Sequence, residues 1–415
     1  MFNITRANNN NEIDFNNQCI SIKPQFYVPK AEQNSKYVKD LIIYPLNNTN
    51  KYHINTFKNR NCSFDKPLIY NKYSEKKHKN NYNLNKIDSS IGNNHYPLII
   101  LKECGKTTFI ITVLRCFSDI INISNYYLDN IIIITNNMNQ MPISYVYTRI
   151  LYHLFPRQNT PSENSYSLDK FYYALTCLNP IFKGKSTKNA IDFLIYFINK
   201  LSEENKVILG CYQKYIQNEN TKIYEEFSWT NKRIEKCWAC GNERISYSKY
   251  LTYDLDFENA FNKAIFRNKN QFSLLDCINL SLEKKNLYNV FCDNCNRKNN
   301  FEKITSIEHI GNNIIFLIRI ENKEFINKIR ENNFKFIINE NIDLSKILKT
   351  DNSMYYLNGV IFYDSENLEY IAYSYNQNHK KWYKYDKEKI IPIEYNFFNY
   401  KYDYKLFPVV FFLKK

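Results

Sequence analysis

The chain has 415 residues, of which 44% are hydrophobic and 23% are charged, so it can bury the core of one large domain or two average ones. Its 7 glycines and 11 prolines are too few for a collagen-like or linker-like chain. No apolar run approaches the roughly 18 residues of a membrane-spanning helix, so no membrane partner is expected. The net charge of +15 rests on enriched lysine without clustered arginine in an Asn- and Ile-rich composition, which argues against nucleic acid as a partner.

The N-terminal region differs from the rest of the chain. Residues 1–95 are rich in Asn, Lys and Tyr and lack regular apolar spacing, apart from one strand-like run, Tyr37 to Tyr44. We predict that this region is poorly ordered. It carries no apolar signal-peptide core. Eleven cysteines without a signal peptide indicate a reducing, intracellular compartment, cytoplasmic or nuclear, where cysteine pairs hold metal more often than they form disulfides.

From about residue 97 the pattern is that of a folded domain. Apolar residues at helical spacing predict helices over Thr107 to Phe117 and Lys188 to Leu201. A strand is predicted over Tyr250 to Phe257, and a helical or mixed stretch over Ser273 to Lys284. Later apolar runs predict four strands: Ile314 to Ile320, Gly359 to Tyr363, Tyr370 to Tyr375 and Trp382 to Tyr385. Helices followed by strands predict an α+β fold.

Two CxxC units, Cys237-Trp-Ala-Cys240 and Cys292-Asp-Asn-Cys295, are the strongest local signal. Each places two thiolates on one side of a tight loop, and two such loops complete a closed, structural zinc site. The alternative is two unrelated reduced pairs. We predict that Cys237, Cys240, Cys292 and Cys295 bind zinc, which stabilises an insertion that a small core alone would not hold.

Several blocks after residue 97 follow one another in the order used by one protein family. They are Cys104 to Phe117, similar to Gly-Asn-Thr-Cys-Tyr-Met-Asn-Ser-x-Leu-Gln-x-Leu; Lys188 to Leu194, similar to Gln-Asp-Ala-x-Glu-Phe-Leu; Ser273 to Cys295; Phe316 to Ile320; Tyr355 to Val360; and Trp382 to Asp386. In their joint order these blocks resemble the ubiquitin-specific proteases, which are papain-like deubiquitinases.

The resemblance implies the thumb, fingers and palm of that family in one domain over residues 96–415. The thumb would span about 96–215, the fingers about 216–310 and the palm about 311–415. It also implies that the double CxxC lies at the fingertips and that a concave face receives ubiquitin or a ubiquitinated protein.

The catalytic positions depart from the family pattern. Thr108 stands where the family has its nucleophilic Cys, and a hydroxyl is inert without a strong local base. Glu103 stands at the oxyanion-donating Asn, where an ionised carboxylate would repel the developing charge. Glu369 replaces the histidine, and Leu368 replaces the Gly before it. Asp386 matches the residue that orients the histidine, so it would face a second carboxylate.

These substitutions predict a ubiquitin-specific protease homologue without peptidase activity, acting as a ubiquitin-binding or scaffold module. One alternative is an active cysteine-type deubiquitinase that cleaves ubiquitin isopeptide bonds with an atypical site. The thiols near the first box are Cys104 and Cys116, and His379 lies in a polar loop outside the histidine box. A second alternative is a structural subunit of an RNA-processing complex, although the relatives known for that role lack the double CxxC.

Overall fold

The computed structural model describes residues 98–155, 164–184, 188–209, 221–319, 323–331, 334–348, 353–393 and 405–415. All of them belong to one compact unit that spans 73–415. The predicted N-terminal region 1–95, with its strand over Tyr37 to Tyr44, lies outside the described residues. Among those residues, no helix has both the length and the hydrophobicity needed to cross a membrane.

Helices dominate the first half of the described chain, and strands dominate the second. The helices are α1 Thr108–Ser118, α2 Ile121–Asp129, α3 Ile131–Asn136, α4 Pro142–Leu154, α5 Asp169–Leu178, α6 Ala190–Ile208, α7 Lys222–Phe227, α8 Phe257–Phe266, α9 Leu274–Leu282, α10 Lys323–Glu331 and α11 Ser345–Leu348, with a 3-10 turn at Pro180–Phe182. The strands are β1 Ile100–Lys102, β2 Ser165–Ser167, β3 Trp229–Cys237, β4 Glu243–Tyr250, β5 Tyr253–Asp254, β6 Gln271–Ser273, β7 Lys285–Cys292, β8 Arg297–Ile310, β9 Asn313–Leu317, β10 Lys335–Ile337, β11 Asn341–Asp343, β12 Met354–Asp364, β13 Glu369–Asn376, β14 Lys381–Asp386, β15 Lys389–Ile393 and β16 Leu406–Lys414. The predicted α+β class is confirmed.

An eight-stranded sheet forms the palm, in the order β15-β14-β13-β12-β16-β9-β5, with β11 paired to β12. Its neighbours are antiparallel except β5 and β9, which run parallel. Along β12, Val360 and Phe362 pack into one core while Ile361 packs into the other. Because both faces are covered, the palm strands are continuous apolar runs rather than alternating ones.

The thumb helices cover one face of the palm, with α1 and α6 side by side. Their rings interlock: Phe193 lies 5.7 Å from Phe109 and 5.6 Å from Phe197, between ring centroids. Gly359 lets α1 approach β12 closely, because a Cβ at this position would lie 3.0 Å from Cys116 Sγ. The C-terminal half of α1 is thereby held close against the palm.

A buried carboxylate joins α6 to α4. Glu204 accepts hydrogen bonds from the backbone N–H groups of Ile143 at 3.3 Å and Ser144 at 2.7 Å, at the start of α4. These donors are among the groups that a helix N-terminus leaves without an intrahelical partner. Burial nevertheless raises the pKa of Glu204 to about 7.

The fingers are a four-stranded sheet in the order β4-β3-β8-β7, built from two hairpins. The predicted strand over Tyr250 to Phe257 is wrong for most of its length. Strand β4 ends at Tyr250, only Tyr253–Asp254 pairs with β9, and Phe257 begins α8. Most of the stretch Ser273 to Lys284 is helical, as α9 Leu274–Leu282, which begins at a capping box formed by Ser273 and Asp276.

Candidate functional site

The four cysteines of the two CxxC units meet at the fingertips. Cys237 and Cys240 flank the turn between β3 and β4, and Cys292 and Cys295 flank the turn between β7 and β8. Their sulfur atoms all lie within 4.8 Å of one another. The two hairpins meet here because β3 and β8 pair along their length, with Cys237 opposite Phe301.

The sulfur spacing fits a metal ion. Four ligands at about 2.3 Å from a tetrahedral zinc ion are about 3.8 Å apart. The distance is 3.9 Å between the sulfurs of Cys237 and Cys295, and 3.6 Å between those of Cys240 and Cys292. A closed set of four thiolates leaves no position for water, so the zinc that these cysteines can hold is structural.

The predicted nucleophile position, Thr108, is the first residue of α1 and is buried. Its hydroxyl oxygen accepts the backbone N–H of Tyr370 in β13 at 3.3 Å. The preceding residue, Thr107, accepts the backbone N–H of Cys104 at 3.1 Å. The two hydroxyls therefore hold the start of the helix against the palm and against the preceding loop.

Three of the predicted site residues surround a lysine that the sequence analysis missed. Lys387 Nζ lies 2.9 Å from Glu369 Oε2. This bond raises the pKa of Lys387, and the charges of Glu103 and Asp386 add to the effect. Burial raises the pKa of Glu103, the charge of Glu369 raises it further, and Lys387 opposes both. The position predicted to match the family's imidazole thus holds a carboxylate bound to a lysine.

The backbone before Glu369 adopts an unusual conformation. Leu368, predicted to replace a Gly of the family, has φ of +54°, in the left-handed region that favours glycine. Asp386 is the last residue of β14, and its Oδ2 lies 3.0 Å from Lys384 Nζ. Each of the two carboxylates, Glu369 and Asp386, therefore has its own lysine.

The two nearby cysteines are poor nucleophiles where they stand. A hydrogen bond with the Asp169 side chain raises the pKa of the Cys104 thiol to about 11. Cys116 lies inside α1 with no exposed surface, and burial raises the pKa of its thiol well above the usual value. Only the thiolate is nucleophilic, so both thiols are in the inert form at neutral pH.

The described histidines occupy other settings. His379 lies in the turn between β13 and β14, at the opposite end of that hairpin from Glu369, and its Nδ1 is 2.8 Å from the hydroxyl of Tyr383. His153 stacks on Tyr166 with ring centroids 4.3 Å apart. His309 lies at the base of the fingers, opposite Thr230.

Comparisons with known proteins agree with this architecture. A family model for ubiquitin carboxyl-terminal hydrolase matches residues 100–407. The chain resembles the solved SAGA DUB module Ubp8/Sgf11/Sus1/Sgf73 bound to monoubiquitin, with 17% identity and a TM-score of 0.58 over 76% of this chain and 69% of that chain. It also resembles the structure of the Ubp8/Sgf11/Sus1/Sgf73 module bound to ubiquitin aldehyde, with 16% identity, a TM-score of 0.58 and the same coverage. Among curated proteins no significant match was found.

At these identities the solved structures show the fold alone. The family-model match covers most of the chain, from β1 to β16. The chain belongs to the ubiquitin carboxyl-terminal hydrolase family, among its ubiquitin-specific proteases.

Proposed function

We propose that this chain is a ubiquitin-specific protease homologue without peptidase activity, which binds ubiquitin or a ubiquitinated protein as a recognition or scaffold module. The observation that carries the proposal is the pairing of Glu369 with Lys387 beside Thr108. Acyl transfer needs an activated nucleophile and a group that takes and returns its proton. A carboxylate neutralised by a lysine is a weak base, and the Thr108 hydroxyl already accepts a backbone hydrogen bond.

The oxyanion position supports the same conclusion. Glu103 is partly buried, and its raised pKa reflects burial and the nearby charge of Glu369. An ionised Glu103 would repel the developing negative charge, whereas the family's amide would donate a hydrogen bond to it. Three different requirements of the reaction are therefore unmet at three positions.

The fingers supply a surface for a protein partner. Ile245 and Tyr247 are 54% and 63% exposed and, being two residues apart in β4, lie on the same face of the sheet. Trp238, in the first CxxC turn, is 56% exposed. Bulky apolar groups exposed together are typical of interaction sites. The two solved neighbours carry ubiquitin or ubiquitin aldehyde, which supports ubiquitin as the partner.

The absence of peptidase activity is tested with ubiquitin that carries a cysteine-reactive electrophile at its C-terminus. We expect no adduct by intact mass spectrometry of the wild-type chain. The matched positive control is the triple variant Thr108→Cys, Glu369→His and Glu103→Asn, which restores sulfur, imidazole and amide and should form the adduct. A wild-type adduct that disappears in Cys104→Ser would instead establish an active enzyme with an atypical site.

Ubiquitin binding is tested separately by titration calorimetry with the full chain. We expect binding that Tyr247→Asp weakens, because it introduces a charge into the apolar face. Tyr173→Asp is the matched control, since Tyr173 is 48% exposed on thumb helix α5. No binding heat at any temperature would refute ubiquitin as the partner. The absence of peptidase activity would still be tested by the labelling experiment.

A further inference from the structure

A second concave surface lies at the far end of the palm from Thr108. A cavity of about 1080 Å³ opens there, beside the start of β14 at Lys381. Strand β14 runs from this cavity to Asp386 at the candidate site, so the two regions are about 17 Å apart along the strand. The cavity is thus separate from the candidate site.

The cavity forms where β12 changes its neighbour. β12 pairs with β11 as far as Tyr356 and with β13 from Gly359 onwards, which leaves Leu357 and Asn358 between the two partners. On its other side β12 has an irregular register with β16 between Leu357 and Gly359. Such bulges turn a side chain away from the regular pleat and are common beside functional sites.

The side chain placed by this bulge has an unused donor. Asn358 lines the cavity and is only 4% exposed. Its Nδ2 atom has no hydrogen-bond partner among the residues that the structure describes. Buried amides are rarely left unpaired, because the loss of water is then uncompensated. The Nδ2 atom is itself buried, so the amide has to turn toward the cavity to donate to an acceptor oxygen of a ligand.

The rim of the cavity is basic and its floor is apolar. The rim carries four lysines and one acidic side chain: Lys380, Lys381, Lys414, Lys415 and Glu340. The floor includes Leu357, Trp382 and Ile393. Within the described part of the chain, none of the four lysines forms an ion pair, unlike Lys384 and Lys387 nearby. The volume exceeds that of most small-molecule pockets and suits a chain segment.

We propose that this groove docks an extended acidic peptide segment of a partner protein. Acidic side chains meet the lysine rim and an apolar side chain covers the floor, and the Asn358 amide turns to donate to a backbone carbonyl of the peptide. A single-stranded RNA is the less suitable occupant, because it needs exposed rings for stacking and Trp382 is only 6% exposed. No arginine lines the cavity among the described residues, so the planar contacts that favour phosphate are missing.

The test uses the full chain and two probes, a displayed library of random peptides and an oligouridylate RNA. We expect the enriched peptides to be rich in Asp and Glu with an apolar residue between them. Calorimetry with a synthetic copy of the best peptide should show affinity that falls with added salt. In the double variant Lys380→Glu/Lys381→Glu the peptide affinity should fall by roughly tenfold, because two attractive charge interactions become repulsive.

The control Lys183→Glu changes an exposed lysine on the thumb and should leave peptide affinity unaltered. Lys380 and Lys381 are exposed, so replacing them with glutamate should leave the melting temperature of the chain unchanged. Enrichment of neutral or basic peptides would overturn the proposal. Peptide affinity that is the same in Lys380→Glu/Lys381→Glu as in the wild-type chain would overturn it too. Tighter binding of the oligouridylate, lost in the same variant, would assign the groove to RNA.

Discussion

Replacing Cys292 with serine tests what holds the fingers together. Its sulfur lies 3.6 Å from that of Cys240 and is fully buried in the fingertip cluster. A serine hydroxyl is not deprotonated at neutral pH and does not replace a thiolate ligand, so three ligands remain. We expect the variant to lose its zinc and the two fingertip hairpins to separate.

The size of the effect follows from the small core at this position. Besides the cysteines, the fingertip cluster buries only Phe301 fully, with Leu287 and Val290 partly covered. Full burial of one such side chain contributes about 1.5–3 kcal/mol. With two of the three only about half covered, together they supply at most about 6 kcal/mol. Structural zinc in small sites supplies about 10–16 kcal/mol. The metal is therefore the larger contribution, and the fingertips should not stay closed without it.

The assay combines elemental analysis with hydrogen exchange. Wild-type chain should carry about one zinc ion and the variant almost none. Exchange should rise in β3, β4, β7 and β8 but not in α1, whose contacts lie in a different core. Cys177→Ser is the matched control, because Cys177 is an exposed thiol outside the cluster. A metal-free Cys292→Ser chain with fully protected fingertip amides would refute this reasoning.

Three further predictions concern the palm and the thumb. Gly359→Ala should lower the free energy of unfolding by roughly 1–3 kcal/mol in denaturant titrations, and by less in a Cys116→Ala background, because the close contact is with that sulfur. Burial raises the pKa of Glu204 from 4.5 to about 7, so the free energy of unfolding should fall by up to about 3 kcal/mol as pH rises across this range. Glu204→Gln should remove this pH dependence, and an unchanged pH dependence would show that Glu204 is not its source. Lys387→Met should raise the pKa of Glu103 further in NMR titrations, since the lysine lowers it; an unaltered value would show that the two groups are not coupled.

Local patterns in the sequence were enough to predict the elements whose stabilising contacts repeat at short range. The helix predicted over Thr107 to Phe117 is α1, and that over Lys188 to Leu201 is the first part of α6. The four predicted strands correspond to parts of β9, β12, β13 and β14, although Ile320 lies outside the described residues. Periodic apolar residues suffice here because each element packs against a continuous core.

The remaining elements depended on contacts that periodicity does not encode. The alternation in Tyr250 to Phe257 predicts a strand, but a helix with Phe257 and Phe261 buried against other rings competes with it. Strand β16 was not predicted, and it contains Pro408, which is disfavoured within a sheet. In the structure Pro408 lies beside an irregularity in the pairing with β12, where the missing N–H is tolerated.

In the candidate site, too, local patterns predicted some residues, while others depend on contacts between distant parts of the chain. The CxxC spacing predicted the metal ligands because each pair is local, and only their meeting required the fold. Lys387 was missed although it directly follows Asp386, because its significance depends on Glu369, which belongs to the neighbouring strand, and on a φ of +55°. Asp169 was missed as the partner of Cys104 for the same reason, since the two are far apart in the chain.

The position of Trp238 also makes the fingertips optically distinct. Trp229 and Trp382 are only 2% and 6% exposed, whereas Trp238, next to the ligand Cys237, is 56% exposed. The red-shifted part of the intrinsic tryptophan emission therefore originates at the zinc knuckle, and the blue part in the palm and at the base of the fingers. Emission spectra recorded during chelation can thus follow opening of the fingertips while the rest of the molecule stays folded.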